Sequence, residues 1–71
     1  MVVKAQNRPM EVIEQLREEA GLSKTEMSKR FSSRTKYYEH LEAVDIKVGA
    51  FLTYLDILGY EVIIAKKGIK L

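Results

Sequence analysis

The sequence predicts a mainly α-helical domain of four short helices that ends in a β-strand. Three observations support this fold class: apolar residues at helical spacing, a cap or break between successive helices, and a change to β-branched residues after Gly59. The length of 71 residues corresponds to a single domain over residues 1–71. A chain this short buries a small core and has no cysteine for a disulfide, so oligomerisation is the first stabilising device to consider.

The first helix is predicted over residues 9–20. Residues 1–7 have no helical period and predict an arm or a short strand. Pro9 favours the first turn of a helix, because its missing N–H costs nothing there. Gly21 tolerates the left-handed conformation in which helices commonly end. Between them, apolar residues recur on one side, as expected for a helix with one buried face.

A capping box predicts the start of the second helix, which we expect over residues 24–30. Ser23 and Glu26 have the S-x-x-E spacing in which serine accepts a backbone N–H and the glutamate returns to the serine N–H. Leu22 before the cap and Met27 within the helix have the spacing of a hydrophobic staple.

A third helix is predicted over residues 34–43, after a turn. Ser32 and Ser33 favour the turn, because adjacent serines compete for backbone hydrogen bonds. The spacing makes Tyr38 and Leu41 the inward pair of this helix. The opposite face is polar, and consists of Thr35, Lys36, Glu39 and His40.

The fourth helix, predicted over residues 48–58 and closed by Gly59, is apolar on two sides. The wider side is a core stripe of Val48, Phe51, Leu52, Leu55 and Leu58. The second side consists of Ala50, Tyr54 and Ile57. A helix that is apolar on two sides needs two surfaces to pack against.

Residues 60–66 read as a strand, because they are β-branched and aromatic and are bounded by glycines. A single strand leaves its backbone groups unpaired, so it must pair with Met1–Ala5, with a second copy of itself, or with another protein. Together with the small size and the second side of the fourth helix, this indicates a homodimer. Its predicted interface consists of Tyr54, Ile57, Tyr60, Val62, Ile63 and Ile64.

Charge is unevenly distributed along the chain. The net charge is only +2, but residues 23–42 carry five cations against three acids, whereas residues 10–22 carry four acids against one cation. This asymmetry indicates a nucleic-acid-binding face, and the plain alternative is a solvated surface of mixed charge. An enzyme is not expected, since there is one histidine, no cysteine and no phosphate loop, and no metal or cofactor is predicted. Without a secretory signal or an apolar run of membrane-spanning length, we expect a cytoplasmic protein.

The middle of the chain resembles a known family. LSKTEMSKRF (residues 22–31), the break, and then Tyr38, Leu41 and Glu42 are similar to the Cro/repressor-type, lambda repressor-like helix-turn-helix. LREEAGLS before the motif and LTYLDILG (residues 52–59) after it extend the resemblance over about residues 12–59. This chain departs from the family at Ser32, where glycine is usual, and at Ser28, where alanine is usual.

The resemblance implies that the third helix lies in the major groove of double-stranded DNA. Carried onto matching positions, it implies base contacts from Thr35, Lys36 and His40, with Arg34 and Tyr37 reaching a base or a phosphate. It also implies backbone contacts at the start of the second helix and elsewhere, from Arg17, Ser23, Lys24 and Lys47, with Lys4 and Arg8 in the arm. Each has a plain alternative: a solvated lysine, a histidine that caps its helix, a tyrosine in the core.

Two functions follow as hypotheses. The first is a dimeric repressor or autoregulator of phage, mobile-element or antitoxin type, which acts by occupying a palindromic operator in a promoter. Cro-like members of the family pair their protomers through a C-terminal strand. The second is a protein-interaction module, an antitoxin or anti-host protein whose strand pairs with a partner such as a toxin.

Overall fold

Four α-helices follow one another along residues 8–68, the part of the chain that the computed structural model describes. They are α1 (Pro9–Ala20), α2 (Lys24–Phe31), α3 (Lys36–Glu42) and α4 (Val48–Ile57). The predicted helices are confirmed in number and order, and their ends differ from prediction by at most two residues. The predicted arm over residues 1–7, with Lys4, lies outside the described residues. In the described part, no helix has the length and apolar character needed to cross a membrane.

The ends of α1 and α2 follow from the local signals that predicted them. Gly21 has φ 73°, and its N–H donates to the carbonyl of Glu18 at 3.1 Å, which closes α1. The Ser23 Oγ accepts the N–H of Glu26 at 3.1 Å, so the serine half of the predicted capping box is present. The carboxylate of Glu26 is bonded instead to Arg30 Nε, one turn ahead, at 3.2 Å.

The core lies where the four helices meet. Its fully buried side chains include Ile13 of α1, Met27 of α2, Tyr37 of α3 and Tyr54 of α4. Around them lie the buried side chains of Met10, Val12, Leu16 and Leu55. Burial of one such large apolar side chain is worth about 1.5–3 kcal/mol, so each helix is held mainly by its core residues.

The inward side of α3 differs from the prediction. Tyr37 is fully buried, whereas Tyr38 is 43% exposed, so the assignment of Tyr38 to the core was wrong. The inward pair is Tyr37 and Leu41, which are four residues apart, instead of Tyr38 and Leu41. Both tyrosines are at helical spacing from Leu41, so spacing alone does not distinguish them. The contacts of Tyr37 with Ser28 and Glu14 hold it on the inward side. The helix starts at Lys36, two residues later than predicted.

The inward side of α4 is also rotated relative to the prediction. Tyr54 and Leu55 are buried, but Val48 is 74% and Leu52 is 44% exposed, so neither belongs to the core. Tyr54 was predicted at a dimer interface, and this is corrected, because the chain's own helices bury it completely. The hydroxyl of Tyr54 has a partner on α3, which draws this side of α4 inward.

Residues 60–66 are exposed and form no strand within residues 8–68. The prediction of a C-terminal strand is therefore wrong for this part of a single chain. The physical reason is that a strand exists only as one member of a ladder of backbone hydrogen bonds. Its predicted partner Met1–Ala5 lies outside the described residues. Gly59, with φ 86°, ends α4 as predicted, and the following Tyr60 N–H donates to the carbonyl of Leu55 at 2.8 Å.

Candidate nucleic-acid interface

The start of α3 is held against α2 by a buried serine. Ser28 is fully buried, and its Oγ accepts the backbone N–H of Tyr37 at 2.9 Å. Thr35, the residue before α3, makes no side-chain cap hydrogen bond in the described structure. Ser28 therefore supplies from α2 an acceptor for a backbone N–H of the first turn of α3. An alanine here would have the right size but could not accept this N–H.

A second, exposed hydrogen bond joins the same two helices. Thr25 Oγ1 and Tyr38 Oη lie 2.9 Å apart, and either hydroxyl can be the donor. Thr25 belongs to the first turn of α2 and Tyr38 to the first turn of α3. Because both residues are exposed, the bond forms at the surface of the helix pair. Sequence reasoning missed it, since residues 13 apart reveal no pairing without the turn geometry.

Arg17 and Tyr37, both predicted to contact DNA, lie instead in an internal network. The hydroxyl of Tyr37 donates to Glu14 Oε1 at 3.1 Å, and Arg17 Nε donates to the same oxygen. A further donor of Arg17 bonds the carbonyl of Leu22, and its guanidinium lies 5.9 Å from the centroid of the Tyr37 ring. Arg17 is only 8% exposed. Both assignments are therefore corrected, because neither side chain is free for a phosphate or a base.

The protonation of Tyr37 fits this network. Burial, reinforced by the Glu14 carboxylate, raises the pKa of the Tyr37 hydroxyl. The hydroxyl therefore keeps its proton and remains a donor to Glu14 at neutral pH. The network joins α3 to α1, in addition to the Ser28 hydrogen bond that joins α3 to α2.

His40, predicted to read a base, lies on the side of α3 that faces α4. Its Nδ1 is hydrogen-bonded to the hydroxyl of Tyr54, and its ring meets Phe31 edge-on with centroids 5.2 Å apart. Phe31 in turn stacks on Tyr54 at 4.4 Å. Burial and then the charge of Lys36 lower the pKa of His40, against an opposing effect of Glu39. Burial also raises the pKa of Tyr54 to about 12, so this cluster is neutral at pH 7.

The side of α3 that faces away from the core is polar and exposed, and consists of Thr35, Lys36, Tyr38, Glu39 and Glu42. Lys36 Nζ lies 3.8 Å from Glu39 Oε2, a surface ion pair of small energy. The structure thus places the predicted contacts Thr35 and Lys36 at the surface, whereas His40 is partly buried against α4 and Tyr37 is fully buried.

Exposed cations lie on α2, in the turn before α3 and at the residue before α4. Lys24 and Lys29 of α2 and Arg34 of the turn are exposed and make no ion pair within residues 8–68. Arg30 is paired with Glu26. Ser23 is exposed, but its hydroxyl oxygen is engaged in the cap of α2. Lys47 is exposed at the residue before α4.

Comparison with known proteins gives no relative from which a function could be transferred. The chain matches no family model, and neither a curated protein nor a solved structure is significantly similar to it. Among the described residues, no three histidine, cysteine or acidic side chains gather closely enough to hold a metal ion. The geometry of α2 and α3 and the chemistry of their exposed side chains are therefore the basis for assigning a function.

Proposed function

We propose that this domain binds double-stranded DNA in a sequence-specific manner, with α3 in the major groove, and regulates transcription by occupying a promoter. The observation that carries the proposal is the packing of α3 on α2. The buried Ser28–Tyr37 hydrogen bond holds one side of α3, while the opposite side is polar and exposed. The major groove is about 12 Å wide and admits a helix presented in this way.

The exposed cations support a duplex as the ligand. Lys24, Lys29 and Arg34 lie on α2 and in the turn before α3, where they can contact the phosphates that flank a groove. Lys36 can donate to guanine O6 and N7, and Thr35 can bond a base or touch a thymine methyl. Lys36 is paired with Glu39, whereas Lys24, Lys29 and Arg34 make no ion pair within residues 8–68.

We further propose that two copies bind together. Exposed apolar side chains continue from α4 into the following segment, at Val48, Leu52, Tyr60, Val62, Ile63 and Ile64. A two-fold dimer would place its two recognition helices about 34 Å apart, one turn of DNA, and would read a palindrome. In this arrangement residues 60–66 gain in the partner the pairing that they lack within residues 8–68.

Selection of bound duplexes from a random DNA pool tests the function. The expected result is enrichment of one palindromic sequence. Binding of that sequence should weaken about 10³-fold or more between 50 and 200 mM salt, as expected when a dimer contacts six or more phosphates. A folded protein that enriches no sequence contradicts the proposal.

A second function is favoured by one observation. Ile63 and Ile64 are 73% and 95% exposed, an unusual exposure for adjacent isoleucines, and such a patch is typical of a protein-binding surface. The alternative proposal is therefore an interaction module of antitoxin type whose segment 60–66 pairs with a strand of another protein. Binding of this kind should change little with salt, which separates it from DNA binding.

A further inference from the structure

The side of α3 that faces solvent is set by the residues that face inward. Tyr37 is buried, and His40 and Leu41 are partly buried. The opposite side therefore contains a row at helical spacing, with Tyr38 three residues after Thr35. Tyr38 thus belongs to the surface that would meet base edges, although its position in the sequence suggested a core residue.

The ring of Tyr38 is held in place by α2. Its hydroxyl is 2.9 Å from Thr25 Oγ1, and this fixes the direction of a side chain that would otherwise rotate freely. Two hydroxyls carry two protons, and the bond between them uses one. Whichever oxygen donates to the other, one O–H remains to donate outward, next to an exposed aromatic edge.

We infer that Tyr38 and Thr25 together contact an A·T base pair, the Tyr38 ring against the thymine C5-methyl group and the free O–H toward a nearby acceptor. This inference rests on the proposed function. Thymine is the base that presents both an apolar methyl group and an acceptor, O4, in the major groove. The pair carries no charge, so its contribution is to sequence preference, while the neighbouring cations contribute to affinity for any sequence.

The test combines a protein change with a DNA change. Wild-type protein first selects its preferred duplex from a random pool, and each thymine in that duplex is then replaced by uracil, which lacks only the methyl group. One replacement should weaken wild-type binding about fourfold, the value of one apolar carbon group. For Tyr38→Ala the same replacement should make no difference, and the selected motif should lose its preference at that position.

Two further variants test the hydroxyl groups of Tyr38 and Thr25 separately. Tyr38→Phe should keep part of the sensitivity to the methyl group, because the ring remains but loses its hydrogen bond to Thr25 as well as its own hydroxyl. Thr25→Val should weaken preference at the same base pair, because it releases the Tyr38 hydroxyl. Lys29→Ala is the matched control, and should reduce binding equally for all sequences and lower the salt dependence. Circular dichroism of each variant checks that it remains folded.

The outcomes distinguish a failure of this inference from a failure of the proposed DNA-binding function. If Tyr38→Ala selects the wild-type motif and keeps the uracil effect, the inference is overturned and DNA binding stands. If His40→Gln, rather than Tyr38→Ala, abolishes the uracil effect, the contact belongs to His40 and the inference is again overturned. If the wild-type protein enriches no duplex, the proposed function fails, and the inference with it.

Discussion

Ser28 links α2 and α3 through a single buried hydroxyl. Its Oγ accepts the N–H of Tyr37, the second residue of α3, and the side chain of Thr35 before α3 makes no cap hydrogen bond. A backbone N–H buried without an acceptor costs about 1–3 kcal/mol. The polar group at this position therefore contributes to the placement of the proposed recognition helix as well as to stability.

Ser28→Ala is expected to reduce the free energy of unfolding by about 1–2 kcal/mol, because the Tyr37 N–H loses its buried acceptor. Urea denaturation followed by circular dichroism measures the change. Ser33→Ala is the control, since Ser33 is exposed in the turn and its removal should change stability by less than about 0.5 kcal/mol. Equal stability of Ser28→Ala and wild type would show that the hydroxyl is not the cap.

His40 should titrate below its ordinary pKa of 6.5, because burial and Lys36 both disfavour the charged imidazole. The unfolded chain then takes up the proton first as pH falls. The contribution of His40 to stability is therefore complete above about pH 6.5 and is lost progressively below it. The chain has one histidine, so an NMR titration of its ring protons reads the pKa without ambiguity.

The control for this prediction is His40→Gln, which keeps a polar side chain but cannot titrate. Between pH 7 and pH 5.5 its stability should change less than that of the wild type. A wild-type pKa at or above 6.5 would contradict the burial of His40 against Tyr54 and Phe31.

At the scale of elements, α3 depends on its neighbours more than the other helices do. It has seven residues, and helices this short are unstable by themselves in water. Its position is set by Ser28 on α2, by Glu14 and Arg17 on α1, and by Tyr54 on α4. We therefore expect α3 to unfold with the core and not as a separate unit.

The glycines at two helix positions should respond in opposite ways to alanine. Gly21 ends α1 with φ 73°, where a Cβ is strained, so Gly21→Ala should reduce stability by about 1–2 kcal/mol. Gly49 lies inside α4 at an ordinary helical φ, so Gly49→Ala should raise stability by about 0.5 kcal/mol.

These two substitutions control for each other. Neither site has another atom within 4 Å of the added Cβ, so steric crowding cannot explain a difference between them. Thermal unfolding of both variants gives the sign of each change. A stabilising Gly21→Ala would mean that α1 does not end in the left-handed conformation.

At the scale of the whole molecule, residues 8–68 leave several large apolar side chains at the surface. The buried core is small, while Val48, Ile63 and Ile64 are largely exposed. Exposed apolar surface of this kind is reduced when two copies associate. Self-association would therefore add stability and, under the proposed function, bring two recognition helices onto one duplex.

Ile63→Asp is expected to yield monomers, because it places a charge in the proposed contact between copies. Operator binding should weaken strongly at the same time. Light scattering measures the mass. Val44→Asp adds the same charge at another exposed apolar residue, outside the proposed interface, and should leave the dimer intact. Wild-type protein that is monomeric at tens of micromolar contradicts the dimer.

Helix ends could be predicted from the sequence of this chain, whereas the burial of individual side chains could not. Gly21 and Ser23 were placed correctly, because a helix end depends on a few neighbouring residues. Tyr37 and Tyr38 were assigned the wrong way round, since either can pair with Leu41 at helical spacing. Arg17 was predicted to contact the DNA backbone, and only the positions of Glu14, Leu22 and the Tyr37 ring show that it is buried within the domain.

The sequence by itself determined the four helices, their order and their ends to within two residues, because caps, glycines and apolar spacing act within one or two turns of the chain. Only the tertiary structure decided which sides of α3 and α4 face the core, and thus which side chains are free to contact a ligand. That choice depends on the turn between α2 and α3 and on contacts between residues far apart in sequence, such as Ser28 with Tyr37 and His40 with Tyr54. The conformation of residues 60–66 is likewise not decided by local sequence. Their β-branched composition favours a strand, but a strand forms only when a partner backbone pairs with it.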